Sequence, residues 1–238
     1  MVSGFENWYN TYMHRFYIDL TKTGNLITNS ESYHAIRVLR VKVGEKIVCF
    51  DGNGNESICL VKVVDESNKK HPSLLIDVLS TEKFEKSKFE KVLIVSSFKL
   101  DRLEWGIEKA VELGIDRIIV TQTKYSQVPL SLVEKKIDRI NEIVLSASKQ
   151  CERKYIPTLE LKEFKEILFL KGNRYVANRN GKGTIEKNVS DTYIFVGPEG
   201  GFETNELKEL IGSGFVEVSL ASNILRAETA MVIASYSI

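Results

Sequence analysis

Apolar and polar positions follow one rhythm over the first third of the chain and another over the rest. From Arg15 to about Leu79 the apolar runs are short and strand-like. RFYIDL gives a first strand, KIVCFDGNGNESICLVKVV gives two runs around a turn rich in Gly, Asn and Asp, and SLLIDVL gives another. Such runs broken by turn residues predict a hairpin within a small sheet or barrel. Between the first strand and the hairpin, SESYHAIRVLRVKVGE offers Ser30 or Ser32 as the cap of a short helix. That helix would set His34, Arg37 and Val38 on neighbouring turns. Residues 80–91, STEKFEKSKFEK, are charged and lack a clean period. They predict a linker over 81–91, with a small domain over 13–80 before it and a larger one over 92–238 after it.

Beyond the linker the apolar runs lengthen and alternate with helical stripes. KVLIVSSF reads as a fully buried strand, and DRLEWGIEKAVELG as an amphipathic helix with Leu103, Ile107, Ala110 and Val111 on one side and Gly114 as its stop. DRIIVTQT is a second strand. A long helix follows from about Leu130 to Lys149, its stripe made by Val133, Ile137, Ile140 and Val144. RYVANR, YIFVG and FVEVSL add strands, TNELKELIGSG adds a helix, and a last helix starts near Ala227. Five strands alternating with helices predict one α/β domain with a parallel sheet and right-handed crossovers.

Charge narrows the partners little, because 33 basic against 32 acidic side chains leave a net charge of +1. A nucleic-acid surface would have to be local. Cys49, Cys59 and Cys151 are widely spaced with no CxxC pair, which fits incidental thiols in a reducing cytoplasm. No apolar run approaches the roughly 18 to 20 residues of a membrane span. The opening MVSGFENWYNTY reads as a loose leader or the product of an early start codon, since Met13 stands directly before the first strand. Three histidines, His14, His34 and His71, with no HxxH or Cys/His cluster, give no metal site, and no GxSxG marks a serine hydrolase.

Three places remain where chemistry can sit. FVGPEGGFETNE follows a strand directly, and ligands of open α/β sheets bind beyond the carboxyl ends of strands. Pro198 stiffens this turn, while Gly197, Gly200 and Gly201 permit close backbone approach; the alternative is a tight turn with only a packing role. The turn lacks the Lys and Ser or Thr of a Walker loop, and Glu199 would repel a polyphosphate. SLASNILRAETAMVIA holds a polar loop, Ile224 and Leu225 as pocket walls, and Arg226 at a helix start, where the dipole disfavours a cation unless an anion is near. Glu228 in the first turn can be a simple dipole partner. SKQCER places Arg153 at the end of the long helix, where dipole compensation is the plain alternative.

HAIRVLR, EKAVELG, KQCER, FVGPEGGFETNE and LASNILRAETA, in this order, resemble the RsmE family of SPOUT-class methyltransferases, over more than about nine-tenths of the chain from Met13 onward. The resemblance implies methylation of N3 of uridine 1498 in 16S ribosomal RNA, a deep trefoil knot in the C-terminal domain, and a PUA-like RNA-binding barrel before it. It further implies S-adenosylmethionine as cofactor and a homodimer. The cofactor would be held by Gly197, Pro198, Glu199, Gly200, Gly201, Leu220, Ser222, Asn223, Ile224 and Leu225. Arg226 would orient the uracil or stabilise its charge, with Glu199 or Glu228 as proton acceptor. Arg15, His34, Arg37, Arg40 and Arg153 would hold the RNA, in the assembled 30S subunit.

Two positions depart from the family pattern. Ala221 stands where a glycine is usual, which would crowd the cofactor if that backbone needs a positive φ, and Gln127 replaces an arginine after TKYS. Two alternatives stay open: a SPOUT enzyme with another RNA target, such as a ribose oxygen, and a non-catalytic RNA-binding assembly factor that tolerates Ala221.

Overall fold

The structure, a computed structural model, describes residues 13–28, 30–186 and 189–238; the leader or early start read at residues 1–12 lies outside them. The chain divides between Lys86 and Ser87 into two compact units.

In the N-terminal unit, β1 (Arg15–Tyr17), β2 (Leu26–Ile27), β3 (Lys46–Phe50), β4 (Asn55–Asp65) and β5 (Ser73–Lys83) form a curled half-barrel in the order β1-β3-β4-β5-β2. Among the described residues of this unit only β1 and β3 pair parallel. Register shifts between Ile58 and Cys59 and between Val61 and Val63 mark irregularities in the β4–β5 ladder, and such bulges bend a strand. The β3–β4 turn closes on Asp51, whose carboxylate accepts from the N–H groups of Asn53 (2.7 Å) and Asn55 (3.0 Å). Phe16, Ile47, Val61, Leu74 and Ile76 fill its core. Cys49 and Cys59 lie in it too; a hydrogen bond with Cys59 and burial together hold the Cys49 thiol far above the usual range.

Three expectations change here. The first strand ends early because Asp19 caps a helical turn, α1 (Leu20–Thr23), accepting from Thr21 N–H at 3.1 Å. The expected short helix is α2 (Ser30–Tyr33) followed by a π-helical turn over His34–Val38, with Leu39 N–H bonded to His34 O at 3.0 Å. Ser32 is buried and donates to the Pro72 carbonyl at 2.7 Å, so it is no cap. Residues 81–83, expected in the linker, continue β5.

The C-terminal unit is built on β6 (Lys91–Ser96), β7 (Arg117–Thr121), β8 (Thr158–Leu161), β9 (Asn173–Ala177), β10 (Thr192–Val196) and β11 (Val216–Val218), all parallel, in the order β11-β9-β10-β6-β7-β8. The sheet has six strands rather than five, because the half-exposed edge strand TLEL carries too little apolar signal to read. Alternation divides the core. Leu93 and Val95 face α3 (Leu100–Glu112), α5 (Ile137–Gln150) and α8 (Ala227–Ser237). Val92 and Ile94 face α6 (Phe164–Ile167) and α7 (Thr204–Gly212). The expected long helix is interrupted: α4 (Leu130–Glu134) ends before Lys136, whose φ of −112° and ψ of 8° break the helical run. Gly114, at φ 90°, ends the run that follows α3, as its sequence position predicts.

The connection leaving β9 is laid along β11. Asn178 N–H donates to Val218 O and Gly183 N–H to Glu217 O, each at 2.9 Å. Gly181 packs so closely there that a methyl on it would stand 2.5 Å from both the N and the C of Val218. The chain leaving β11 returns from this sheet edge to pack α8 on β10, β6 and α3. A parallel sheet in this strand order with the last helix returned over it is the C-terminal α/β architecture that the resemblance implies.

Because backbone rather than a side-chain tip opposes it, Gly181→Ala should destabilise the protein by about 1–3 kcal/mol. A urea unfolding midpoint unchanged from wild type would contradict this close contact.

Candidate active site

The carboxyl end of β10 meets the loop after β11 around an open cavity of about 180 Å³. Its lining includes Gly197, Pro198, Glu199 and Gly201 from the first segment and Leu220, Ala221, Asn223, Ile224 and Leu225 from the second. Two stretches separated by a helix and a strand are thus brought together, as their resemblance implied. Gly200 and Ser222 are not in the lining.

Each glycine of the turn has its own reason. A methyl on Gly197 would sit 2.9 Å from the Phe202 ring, which packs edge-on against Phe195 at 4.8 Å between centroids. On Gly200 it would press on Tyr125 Cβ at 3.0 Å. Gly201 has φ 72°, closes a turn through its N–H to Pro198 O at 2.8 Å, and has open space where a Cβ would stand. Of the turn's glycines, Gly201 therefore combines a backbone that favours glycine with a place in the cavity wall.

Glu206 fixes the turn from behind. One of its oxygens accepts from Glu203 N–H at 2.9 Å, forming half of a capping box at the start of α7, and the other accepts from Lys124 N–H at 2.7 Å. The 122–128 loop is held in turn by Thr123, which donates to Ser96 Oγ at 3.0 Å. Gln127 is exposed in this loop.

Electrostatically the site turns on a residue that sequence reading missed. Arg102 of α3 stands 3.6 Å from Glu199 Oε1 and 3.9 Å from Glu228 Oε1. Glu199 belongs to the turn and Glu228 to the first turn of α8, so one guanidinium bridges both segments. The other Glu228 oxygen, Oε2, is buried without a hydrogen-bond partner. Asn178 and Arg179, at the start of the β9–β10 connection, also line the cavity and were not anticipated. No motif marks them.

Arg226 stands at the N-cap of α8 with its side chain exposed and making no cap hydrogen bond; it is not in the lining. The other arginines differ. Arg15 is paired with Glu56 through Nε (3.2 Å) and Nη2 (2.9 Å) and lies over the Phe50 ring at 3.6 Å. Arg153 donates to Asp116 at 2.8 Å and to the carbonyls of Tyr155 and Val111. Both are largely buried, and these contacts account for an arginine without RNA. Arg37 pairs with Glu66, His34 meets Phe16 edge-on, and Arg40 is exposed with a φ of 57°.

Among the described residues, no group of three His, Cys, Asp or Glu side chains is placed to hold a metal ion, and no helix is long and apolar enough to cross a membrane. Apolar walls from Leu220, Ile224, Leu225 and Ala230, with polar groups and an open glycine at the rim, fit a nucleoside-bearing cofactor.

Comparison with known proteins agrees. Residues 85–238 match the RNA methyltransferase domain family and residues 27–75 the RNA methyltransferase PUA domain. Fold, paired cofactor segments and these matches define an S-adenosylmethionine-dependent RNA methyltransferase of the SPOUT superfamily. The chain is 30% identical to ribosomal RNA small subunit methyltransferase E of Mesomycoplasma hyopneumoniae, over 92% of this chain and 96% of that one. It is 31% identical to the protein of that name from Bacillus subtilis, over 92% and 93%. It superposes with a TM-score of 0.80 on the crystal structure of that methyltransferase from Neisseria gonorrhoeae bound to S-adenosyl methionine, at 27% identity and covering 94% and 95% of the two chains. The chain belongs to the RsmE family.

Ala221 lines the cavity without a positive φ, so its methyl brings no backbone strain. Ala221→Gly should accordingly change S-adenosylmethionine affinity less than about threefold by calorimetry, under 1 kcal/mol. A tenfold gain would show that the methyl obstructs the cofactor.

Proposed function

We propose that this protein methylates N3 of a specific uridine in 16S rRNA, of the position-1498 type, within the assembled 30S subunit. The observation that carries the reading is the pair of carboxylates, Glu199 and Glu228, gathered beside the cofactor cavity from the two segments that form it.

N3 of uracil bears a proton at neutral pH, so the site must place the base, accept that proton and stabilise charge on O2 and O4. Bound S-adenosylmethionine supplies the electrophilic sulfonium methyl. Gly197, Pro198, Gly201, Leu220, Asn223, Ile224 and Leu225 would hold it. Glu199, which borders the cavity directly, is the nearer proton acceptor, and Glu228 shares its cation. Arg226 would donate to a uracil oxygen or its phosphate: it is exposed, its side chain makes no cap hydrogen bond, and it sits at a positive helix end that favours an arriving anion.

RNA contact in the N-terminal unit would fall to Arg40, exposed just beyond the His34–Val38 turn that carries His34 and Arg37. A homodimer is supported by α8, AETAMVIASYS, which is apolar nearly all round and yet leaves Tyr236 72% exposed, and by Ile224 at 77%. A ribosomal substrate implies work in the cytoplasm.

Labelled methyl from S-adenosylmethionine should enter 30S subunits lacking the modification and be recovered as 3-methyluridine. Arg226→Ala should lower the rate by about tenfold or more, the scale of a lost charge-stabilising donor. Recovery of 2′-O-methyluridine would replace the base by a ribose as target, and absence of label with retained subunit binding would sink the enzymatic reading.

A further inference from the structure

Arg102 lies in the first turn of α3, the end of a helix where the dipole disfavours a cation. Nothing on its own helix explains it there; its two ion-pair partners are Glu199 and Glu228. At 3.6 and 3.9 Å both contacts are ion pairs rather than close hydrogen bonds, and Glu228 keeps one buried oxygen unbonded. One positive and two negative groups leave the cluster with a formal charge of −1, a surplus placed directly beside the cavity because Glu199 is part of its wall. Arg179, the other charged residue of the lining, is exposed and therefore screened by solvent.

From this we infer that the Arg102–Glu199–Glu228 cluster is a charge selector, in which Arg102 positions both carboxylates and sets how strongly the site favours the sulfonium cofactor over its thioether product. The inference rests on the cofactor reading above. S-adenosylmethionine and S-adenosylhomocysteine share nearly every atom that shape or hydrogen bonding can read, and they differ by a methyl group and one unit of positive charge. A site with a net carboxylate surplus favours the charged donor and weakens its hold on the product. Two carboxylates without a cation would repel one another and bind the donor at the expense of their own placement. Arg102 leaves the surplus at one charge while keeping both groups in register.

The ratio of the two dissociation constants isolates this role, because a merely structural loss weakens both ligands alike. Calorimetric titration of the full-length protein with each ligand at about pH 8, where ordinary carboxylates are ionised, should order the preference for S-adenosylmethionine as Glu199→Gln below wild type and Arg102→Gln above it. Each step should be about threefold or more for a unit charge within a partly solvated site. Arg102→Lys should keep the wild-type ratio. Circular dichroism identifies a variant that fails to fold, and in that event Glu199→Gln against wild type decides alone. Ratios that stay together across the variants would overturn the selector while leaving the cofactor reading intact. Failure of wild type to bind either ligand would overturn both.

Discussion

One constraint shapes the C-terminal unit: the chain leaves the sheet at its edge strand β11 and must bring its last helix back over β10, β6 and α3. The returning segment, residues 219–226, cannot lie flat on the sheet, because the connection from β9 already covers β11 through Asn178, Gly181 and Gly183. It is carried to the carboxyl end of β10 instead, and there it faces the Gly-Pro-Glu-Gly-Gly turn across the cavity. The site is therefore a product of chain routing. A fold with the same strands and a conventional crossover would place these two loops apart.

That routing also explains where the charge sits. Glu199 follows β10 and Glu228 opens α8, so the two carboxylates approach only if α8 docks correctly, and α3, which packs against α8, supplies the cation between them. Packing and electrostatics reinforce each other here. Met231 of α8 fills the space above Gly106 of α3, where even a methyl would meet the thioether at 2.5 Å, and one turn earlier on α3 Arg102 meets the carboxylates. The close approach of the helices through Gly106 is what brings a guanidinium on α3 within reach of a residue on α8.

Much of this was legible because the cofactor segments are local. GPEGGF and ILRAETA each carry their geometry in consecutive residues, and the strand–helix rhythm from Lys91 to Val120 follows directly from apolar spacing. The strand β8 was not legible, since TLEL at the sheet edge is only half buried and its polar–apolar alternation lasts just four residues before the charged KEFKE. Nor was the break at Lys136, where the apolar stripe continues across a pair of lysines as it would in one helix. Arg102 was invisible for another reason. Its partners stand far along the chain, and no spacing rule links a helix residue to carboxylates on two later elements.

The arginines show how the structure divides residues that sequence treats alike. Arg15, Arg153 and Arg226 all sit at or beside element boundaries, and the resemblance gives each a role toward the RNA or its base. Arg15 finds a carboxylate and an aromatic face across the half-barrel, and Arg153 finds Asp116, the Val111 carbonyl near the end of α3 and the Tyr155 carbonyl. A guanidinium with its planar donors already engaged gains little from a phosphate, because binding RNA would first break contacts made in a partly buried setting. Arg226 lacks such contacts and faces a helix dipole of its own sign. Its place at a positive helix end favours an arriving anion, and donors not engaged within the fold are what separate a residue available to a substrate from one kept for the fold.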